Sequence, residues 1–170
     1  MTISKETLAK YLKPGDIFYE TGTRWGDTVI KAFELQVREV HSCENNLEQY
    51  KMAVAHVEDA APRYKGLWSI ECMDSVSFLA FRTAETQNNV VVFLDAHSDT
   101  ASPVVEEVDI LLRWAVLPKT ILIDDLRCME AWKVNLRKLE QKLSDAGYLI
   151  HYEDGVIPKD ILVAIREDSI

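Results

Sequence analysis

The run Val90–Leu94 constrains the fold of this chain more than any other feature, because every residue in it is apolar. A run of this length without polar alternation is typical of a strand that is covered on both faces, as in the middle of a parallel sheet. Parallel strands need crossover connections, which are usually helices. We therefore expect helices on both faces of a sheet that contains this strand.

The rest of the chain alternates between strand-like and helix-like segments. The predicted strands are 16–20, 37–43, 67–72, 90–94, 119–123, 148–152 and 161–165. The predicted helices are 4–12, 26–36, a segment that Asn45 caps and that runs to 57, then 75–83, 104–116 and 129–146. The short connection between the last two strands indicates one reversed strand. The pattern predicts a single domain over 1–170 with an α/β fold: a Rossmann-like, doubly wound, mainly parallel sheet of about seven strands with a reversed edge strand and helices on both faces.

The composition disfavours several classes of partner. A formal net charge of −9 opposes binding to nucleic acid or to an anionic membrane surface, since both need clustered Lys and Arg. Neither a signal peptide nor an apolar run of membrane-spanning length is evident, so we expect a cytoplasmic protein. The three cysteines form no C-x-x-C pair and are expected to be reduced. Trp114 and Trp132 fall on predicted helices, where a core position or a contact in a homo-oligomer is expected.

Acidic residues follow each of the first five predicted strands. Ligands of open α/β sheets bind beyond the carboxyl ends of the strands, so these positions predict a ligand crevice. The residues are Glu20, Glu44, Asp74, Asp95 and the pair Asp124 and Asp125.

The segment from Glu20 to Gly26 reads as a strand end, a turn that contains Gly22, and a helix start. Such a turn brings backbone N–H groups and a helix N-terminus to a polar ligand. The spacing Gly-x-x-x-Gly is equally compatible with a tight turn that has no ligand. Glu44 follows at about the 20-residue interval that is typical of an acid binding ribose hydroxyl groups. A solvated strand end remains an alternative for Glu44.

Two further clusters suggest chemistry. Asp95, Asp124 and Asp125 are predicted at neighbouring strand ends, where they could form an all-oxygen site for Mg²⁺ or Ca²⁺. His97 could accept a proton near neutral pH. The alternatives are that the Asp pair caps a helix and pairs with Arg127, and that His97 is an ordinary loop residue.

These segments resemble class I S-adenosylmethionine-dependent methyltransferases, in particular small methyltransferase-like proteins with three short motifs. The motifs are an E-T-G-T-x-x-G-D-T loop, an L-D-A/G-H strand end and an I-D-D-x-R strand end, which lie here at 20–28, 94–97 and 123–127. Arg24 replaces the middle glycine of the usual cofactor loop, and Met73 replaces the glycine of the usual G-D-S.

The resemblance implies S-adenosylmethionine as cofactor and methylation of an oxygen atom on a small-molecule or sugar-like acceptor. The implied catalytic residues are Asp95 and His97. The implied cofactor-binding residues are Glu20, Gly22, Thr23, Gly26, Glu44, Asp74 and Ser75. Metal-dependent members of the class imply in addition a Mg²⁺ site at Asp95, Asp124 and Asp125.

Two alternative functions are compatible with the same residues. Asp95, His97 and Asp99 also resemble the D-A-H-x-D motif of arginase-like metallohydrolases, which bind Mn²⁺ through such a motif. A non-catalytic nucleoside-binding or assembly module with the methyltransferase fold is the second alternative, because fold does not establish function.

Overall fold

The computed structural model describes residues 3–82 and 87–169. Within them, all strands belong to one seven-stranded sheet with the order β3-β2-β1-β4-β5-β7-β6. The strands are β1 (Ile17–Thr21), β2 (Glu39–Glu44), β3 (Leu67–Cys72), β4 (Val90–Leu94), β5 (Thr120–Ile123), β6 (Tyr148–Glu153) and β7 (Ile161–Arg166).

The first five strands run parallel, and β7 is antiparallel to both β5 and β6. The predicted mainly parallel sheet is thereby confirmed. The reversed strand is β7, which is the second strand from one edge of the sheet. The edge strand itself is β6, which pairs with β7.

Helices cover both faces of the sheet, as the doubly wound prediction requires. The helices are α1 (Lys5–Tyr11), α2 (Asp27–Glu34), α3 (Leu47–Ala60), α4 (Ser75–Ala80), α5 (Val104–Leu111) and α6 (Leu136–Asp145). The first three pack in one hydrophobic cluster, and the last three pack in the other. None of the helices in the described ranges is both long and apolar enough to cross a bilayer.

Strand β4 explains why the sequence has an unbroken apolar run. Val90, Val92 and Leu94 belong to the cluster with α4, α5 and α6, whereas Val91 and Phe93 belong to the cluster on the opposite face. Successive side chains of a strand point to opposite faces. A strand that is covered by helices on both sides therefore needs apolar residues at every position.

The largest error in the predicted elements concerns the last helix. The sequence predicts a helix from 129, but α6 begins at Leu136, after Asn135 has capped it by accepting from the backbone N–H of Lys138 at 3.1 Å. Leu126–Cys128 instead form a 3-10 turn, and Lys133 adopts a positive φ of 59°. A left-handed residue cannot continue an α-helix, so the chain turns before α6 begins.

Two smaller corrections concern helix ends. The N-cap of α3 is Asn46 and not Asn45, because the Asn46 side chain accepts from the backbone N–H groups of Glu48 and Gln49. Helix α5 ends at Leu111, before the predicted residue 116. Helix α4 ends at Ala80, and residues 81 and 82 form a turn, so the helix is shorter than predicted; residue 83, its predicted end, lies outside the described residues.

Candidate functional site

A crevice of about 1330 Å³ opens at the carboxyl ends of the parallel strands. Gly22, Glu44 and Asp95, which are far apart in the sequence, all line it. The structure therefore brings together most of the predicted site residues. Those that line the crevice are Glu20, Gly22, Thr23, Glu44, Asp74, Ser75, Asp95, His97, Asp124 and Asp125.

Gly22 allows the loop after β1 to pass close to the end of β4. Its φ is +80°, and a Cβ at this position would lie 2.7 Å from the carbonyl oxygen of Asp95 and 2.9 Å from Cα of Ala96. Any other residue would thus clash with backbone and adopt a strained conformation. The backbone N–H groups of Gly22 and Thr23 both donate to the carbonyl of Cys43, at 3.1 and 2.9 Å.

Gly26 has a packing role. It precedes α2 with φ +82°, and a Cβ there would lie 2.6 Å from Cγ2 of Val57 on α3. Gly26 is not among the residues that line the crevice. Its place in the motif is explained by the close approach of the loop to α3.

Glu20 is a buried carboxyl at the base of the crevice. It accepts hydrogen bonds from the hydroxyl groups of Ser42 at 2.7 Å and Thr23 at 3.3 Å. Burial raises the pKa of Glu20 from 4.5 to about 7, although the Ser42 hydrogen bond opposes this rise. The group thus changes charge near neutral pH.

Glu44 connects two loops at the rim. One carboxylate oxygen accepts from the backbone N–H of Arg24 and the other from that of Asn46, each at 2.9 Å. Each carboxylate oxygen can accept more than one hydrogen bond. Glu44 can therefore hold the loops and still accept from a ligand's hydroxyl groups.

Asp74 and Ser75 differ in their surroundings. Asp74 is exposed and caps α4 by accepting from the backbone N–H of Ser77 at 2.8 Å, which lowers the pKa of Asp74. Ser75 is buried beside Glu107, whose carboxyl is fully buried. Neither oxygen of Glu107 has a hydrogen bond of normal geometry within the described part of the chain.

Asp95 lies at the centre of the acidic rim. Burial is the main cause that raises its pKa well above 3.8, and the charges of Asp124, Glu20 and Asp125 add to the effect. Its backbone N–H donates to the Thr21 carbonyl at 3.2 Å, which joins the ends of β4 and β1.

His97 is held by two neighbours. Its Nε2 lies 3.1 Å from Oδ2 of Asp125, and its ring stacks on Trp132 with centroids 5.1 Å apart. The hydrogen bond to Asp125 raises the pKa of His97 above 6.5, and the same contact lowers that of Asp125. Trp132 thus lies at the site and in a turn, and not on a helix as the sequence suggested.

The predicted metal ligands do not meet at one point. Among the described residues, two groups bring a donor atom from each member within 4.8 Å of one another: Asp95 with His97 and Asp125, and Asp124 with Asp125 and Asp160. Asp125 is common to both groups. Its Oδ1 lies 2.6 Å from Nη2 of Arg127, and its Oδ2 faces His97. This arrangement does not fit Mg²⁺, which needs carboxylate oxygens that are open to the ion.

The structure does not support the metal site that the arginase-like alternative requires, because Asp99 does not approach Asp95 and His97. Asp99 is exposed, and it belongs to neither of the two groups that the described residues form. The D-A-H-x-D run therefore does not act as a unit, because only its first two side chains, Asp95 and His97, approach each other.

Sequence reasoning missed three residues of the site. Ser42 binds Glu20, Trp132 stacks on His97, and Asp160 binds Arg127. Ser42 could have been found, because it pairs with Glu20 once β1 and β2 are aligned in parallel register. Asp160 and Trp132 reach the site through loops, and their spacing carried no signal.

The sequence matches no protein-family model, and no curated protein matches it either. Solved structures do share its fold. A Streptococcus mutans protein, provisionally named a methyltransferase and crystallised in complex with SAH, has a TM-score of 0.67 and 10% identity over 97% of this chain and 99% of its own. Precorrin-6y C5,15-methyltransferase from Geobacter metallireducens has a TM-score of 0.62 and 13% identity, over 96% and 87%.

A third similar structure is magnesium protoporphyrin IX methyltransferase from Synechocystis PCC 6803 with bound SAM, with a TM-score of 0.63 and 12% identity over 96% of this chain and 78% of that one. These similarities extend over almost the whole chain at low identity, which shows the fold. The chain therefore has the class I S-adenosylmethionine-dependent methyltransferase fold that its motifs predicted.

Proposed function

We propose that this protein is an S-adenosylmethionine-dependent methyltransferase that methylates a hydroxyl oxygen of a small, sugar-like acceptor. The observation that carries the proposal is the convergence of the Gly22 loop, Glu44 and an Asp125-bound His97 on one crevice. A cofactor loop and a candidate proton acceptor then share one space, as methyl transfer requires.

The acidic side chains in the crevice suit a cofactor that carries positive charge. S-adenosylmethionine has an ammonium and a sulfonium group, and Glu20, Asp95 and Asp124 are among the acidic residues that line the crevice. Glu44 stands where the resemblance assigns the ribose hydroxyl groups. The volume of about 1330 Å³ exceeds that of a typical small-ligand pocket, ~300–1,000 Å³, so an acceptor has room beside the cofactor.

The charge of the crevice favours a neutral or cationic acceptor. Among the described residues that line it, nine are acidic and three are Lys or Arg. A phosphate-rich acceptor such as nucleic acid would be repelled. A polyol presents hydroxyl groups without negative charge, which supports a sugar-like acceptor. The named acceptors of the structural neighbours differ from one another, so the shared fold does not select among them.

His97 supplies the acid–base chemistry in this proposal. With Nε2–H donating to Asp125, Nδ1 carries the lone pair that accepts the proton of the acceptor hydroxyl. The Ser98 carbonyl oxygen, 3.4 Å from Nδ1, can then accept from the imidazolium that forms. When bound, S-adenosylmethionine would supply a methyl group, which leaves the sulfonium sulfur as the acceptor oxygen bonds to its carbon.

The test measures binding and turnover separately. Wild-type protein is expected to bind S-adenosylmethionine and to transfer a labelled methyl group to a member of a panel of sugars and polyols. His97→Gln should lose about 10²–10⁴-fold in turnover, the usual contribution of a general base, and should retain cofactor affinity. His151→Gln is the control, because His151 lies on β6, contacts Tyr11 and does not line the crevice.

Cofactor binding without turnover on any acceptor would favour the non-catalytic module. His97→Gln with wild-type turnover would contradict the role assigned to His97.

A further inference from the structure

Arg127 lies among the carboxylates that follow β5, where the resemblance places a divalent cation. Its Nη2 is 2.6 Å from Oδ1 of Asp125, and its Nη1 forms an ion pair with Oδ2 of Asp160. One guanidinium group thus joins two of the three acids that form the second donor group. A planar guanidinium presents donors on both sides and suits such a bridge.

The buried carboxylate of Asp160 needs the guanidinium group of Arg127 as its counter-ion. Asp160 is fully buried immediately before β7, and its Oδ1 also accepts from the backbone N–H of Arg127 at 3.0 Å. Its carbonyl accepts from the backbone N–H of Leu126 at 3.0 Å. A buried carboxylate without a counter-ion is strongly destabilising. Asp160 therefore fixes both the position and the charge of Arg127.

Both oxygens of Asp125 already have a partner that carries N–H donors. Oδ1 is bound to Arg127, and Oδ2 lies 3.1 Å from Nε2 of His97. The side chain of Asp124 turns to a different partner, because its Oδ1 accepts from the backbone N–H of Asp125 at 2.8 Å. Both oxygens of Asp125 and one oxygen of Asp124 are therefore already engaged by groups of this chain.

The charges agree with this geometry. The guanidinium group of Arg127 forms an ion pair with Asp125, so this carboxylate already has a counter-ion. An added divalent cation would meet a local positive charge from Arg127 that opposes it.

We propose that the guanidinium group of Arg127 takes the place of a divalent cation at the end of β5, and that methyl transfer by this protein needs no metal. The second half of this proposal rests on the proposed methyl-transfer function. The first half concerns cation binding alone and does not depend on turnover.

The binding test uses Mn²⁺, whose paramagnetic resonance signal separates free from bound ion. Wild type and Arg127→Lys, which keeps a positive charge, are expected to take up no Mn²⁺. Arg127→Met, which keeps much of the length without the charge, should bind about one equivalent, because oxygens of Asp125 and Asp160 become available. At a hundredfold excess over Kd, Mn²⁺ should also raise the melting temperature of Arg127→Met by roughly 5–10 °C.

Stoichiometric uptake by wild type that Asp125→Asn abolishes would overturn the proposal. A folded Arg127→Met variant that binds no Mn²⁺ would do the same. If Arg127→Met does not fold, Mn²⁺ uptake by wild type, Arg127→Lys and Asp125→Asn is compared instead. Uptake by none of the three supports the proposal, and uptake by wild type that is lost in Asp125→Asn contradicts it.

Turnover tests the second half. Wild type treated with a chelator should transfer methyl groups at the untreated rate, and a loss that Mg²⁺ or Mn²⁺ restores would overturn metal independence. Absence of turnover in both samples would contradict the proposed function, and the Mn²⁺ binding result would still decide whether Arg127 excludes a cation.

Discussion

Nε2 of His97 lies 3.1 Å from Oδ2 of Asp125, so the residues that follow β4 and β5 meet across the mouth of the crevice. A carboxylate beside an imidazole orients the ring and stabilises its charged form. Arg127 binds the other oxygen of Asp125, and Trp132 stacks on the imidazole. His97 is thereby fixed in position by two side chains, Asp125 and Trp132, and Arg127 in turn anchors Asp125.

The first prediction concerns the pH dependence of turnover. The pKa of His97 is raised above 6.5, mainly by the hydrogen bond to Asp125. The neutral imidazole is the base, so the rate should rise with pH through this raised pKa. Asp125→Asn should move the rise to lower pH and reduce the plateau, because the ring loses its orientation. NMR titration of the His97 ring, assigned with His97→Gln, checks the shift. An unchanged His97 pKa in Asp125→Asn would contradict the pairing.

The second prediction concerns cofactor binding by Glu20. Because its pKa is about 7, its carboxylate form gains population as pH rises through neutrality. An ammonium group on the ligand favours that form, so affinity for S-adenosylmethionine should rise by up to about tenfold per pH unit below pH 7. Calorimetric titration at a series of pH values between about 5.5 and 8 measures this.

Glu20→Gln should bind more weakly, and its affinity should depend less on pH than that of wild type. 5′-Methylthioadenosine, which lacks the ammonium group, serves as the ligand control and should show no pH dependence with wild type. If affinity for S-adenosylmethionine is the same on both sides of neutrality, Glu20 does not contact the charged end of the ligand.

The third prediction concerns stability and Glu107. Burial raises the pKa of this carboxyl from 4.5 to about 7, so the folded state binds its proton more tightly than the unfolded state does. The loss of folding stability caused by this carboxyl is absent at low pH, where Glu107 is protonated in both the folded and the unfolded state. The loss grows as pH rises from 4.5 to about 7, and it stays constant at higher pH. Glu107→Gln should therefore stabilise the protein by up to about 3 kcal/mol at alkaline pH and have little effect in acid.

The free energy of unfolding of wild type and Glu107→Gln, measured with denaturant once in acid and once at alkaline pH, tests this prediction. The adjacent Glu106 is exposed, and Glu106→Gln should show no comparable pH dependence. Equal effects of Glu107→Gln in acid and in alkali would show that the carboxyl is not held protonated.

The fourth prediction concerns Arg24, which replaces a glycine of the usual loop. Arg24 has a positive φ of 51°, a conformation that disfavours residues with a Cβ. Arg24→Gly should therefore be more stable than Arg24→Ala by about 1 kcal/mol. At Lys51, within α3, the order should reverse, because glycine is unfavourable inside a helix. Thermal unfolding of the four variants checks both comparisons, and Ala more stable than Gly at position 24 would contradict the strained conformation.

Much of the fold could be predicted because it follows from apolar periodicity. Strand β4 and strand β3 begin and end where the pattern indicated. The start of α6 could not be predicted in the same way. Residues 129–135 carry a helix-like composition, but the anchoring of Arg127 by Asp160 and the positive φ of Lys133 impose a turn there.

The candidate site could be predicted only to the level of position. Parallel strands end at one edge of a sheet, so the acids that follow them meet, as Glu20, Glu44 and Asp95 do. Which groups pair within that edge depends on tertiary contacts. The motif I-D-D-x-R suggested a metal site, whereas the contact of Arg127 with Asp160 gives these acids a different partner.

The account depends most on cofactor binding in the crevice, and calorimetric titration with S-adenosylmethionine tests it directly. Wild type should bind with a saturable, single-site isotherm. Glu44→Ala should weaken binding by roughly 1–3 kcal/mol, because ligand hydroxyl groups lose a buried acceptor. Glu48→Ala, which removes an exposed carboxylate on α3, should bind as wild type does. Absence of binding to wild type, or equal affinity of wild type and Glu44→Ala, would contradict the account.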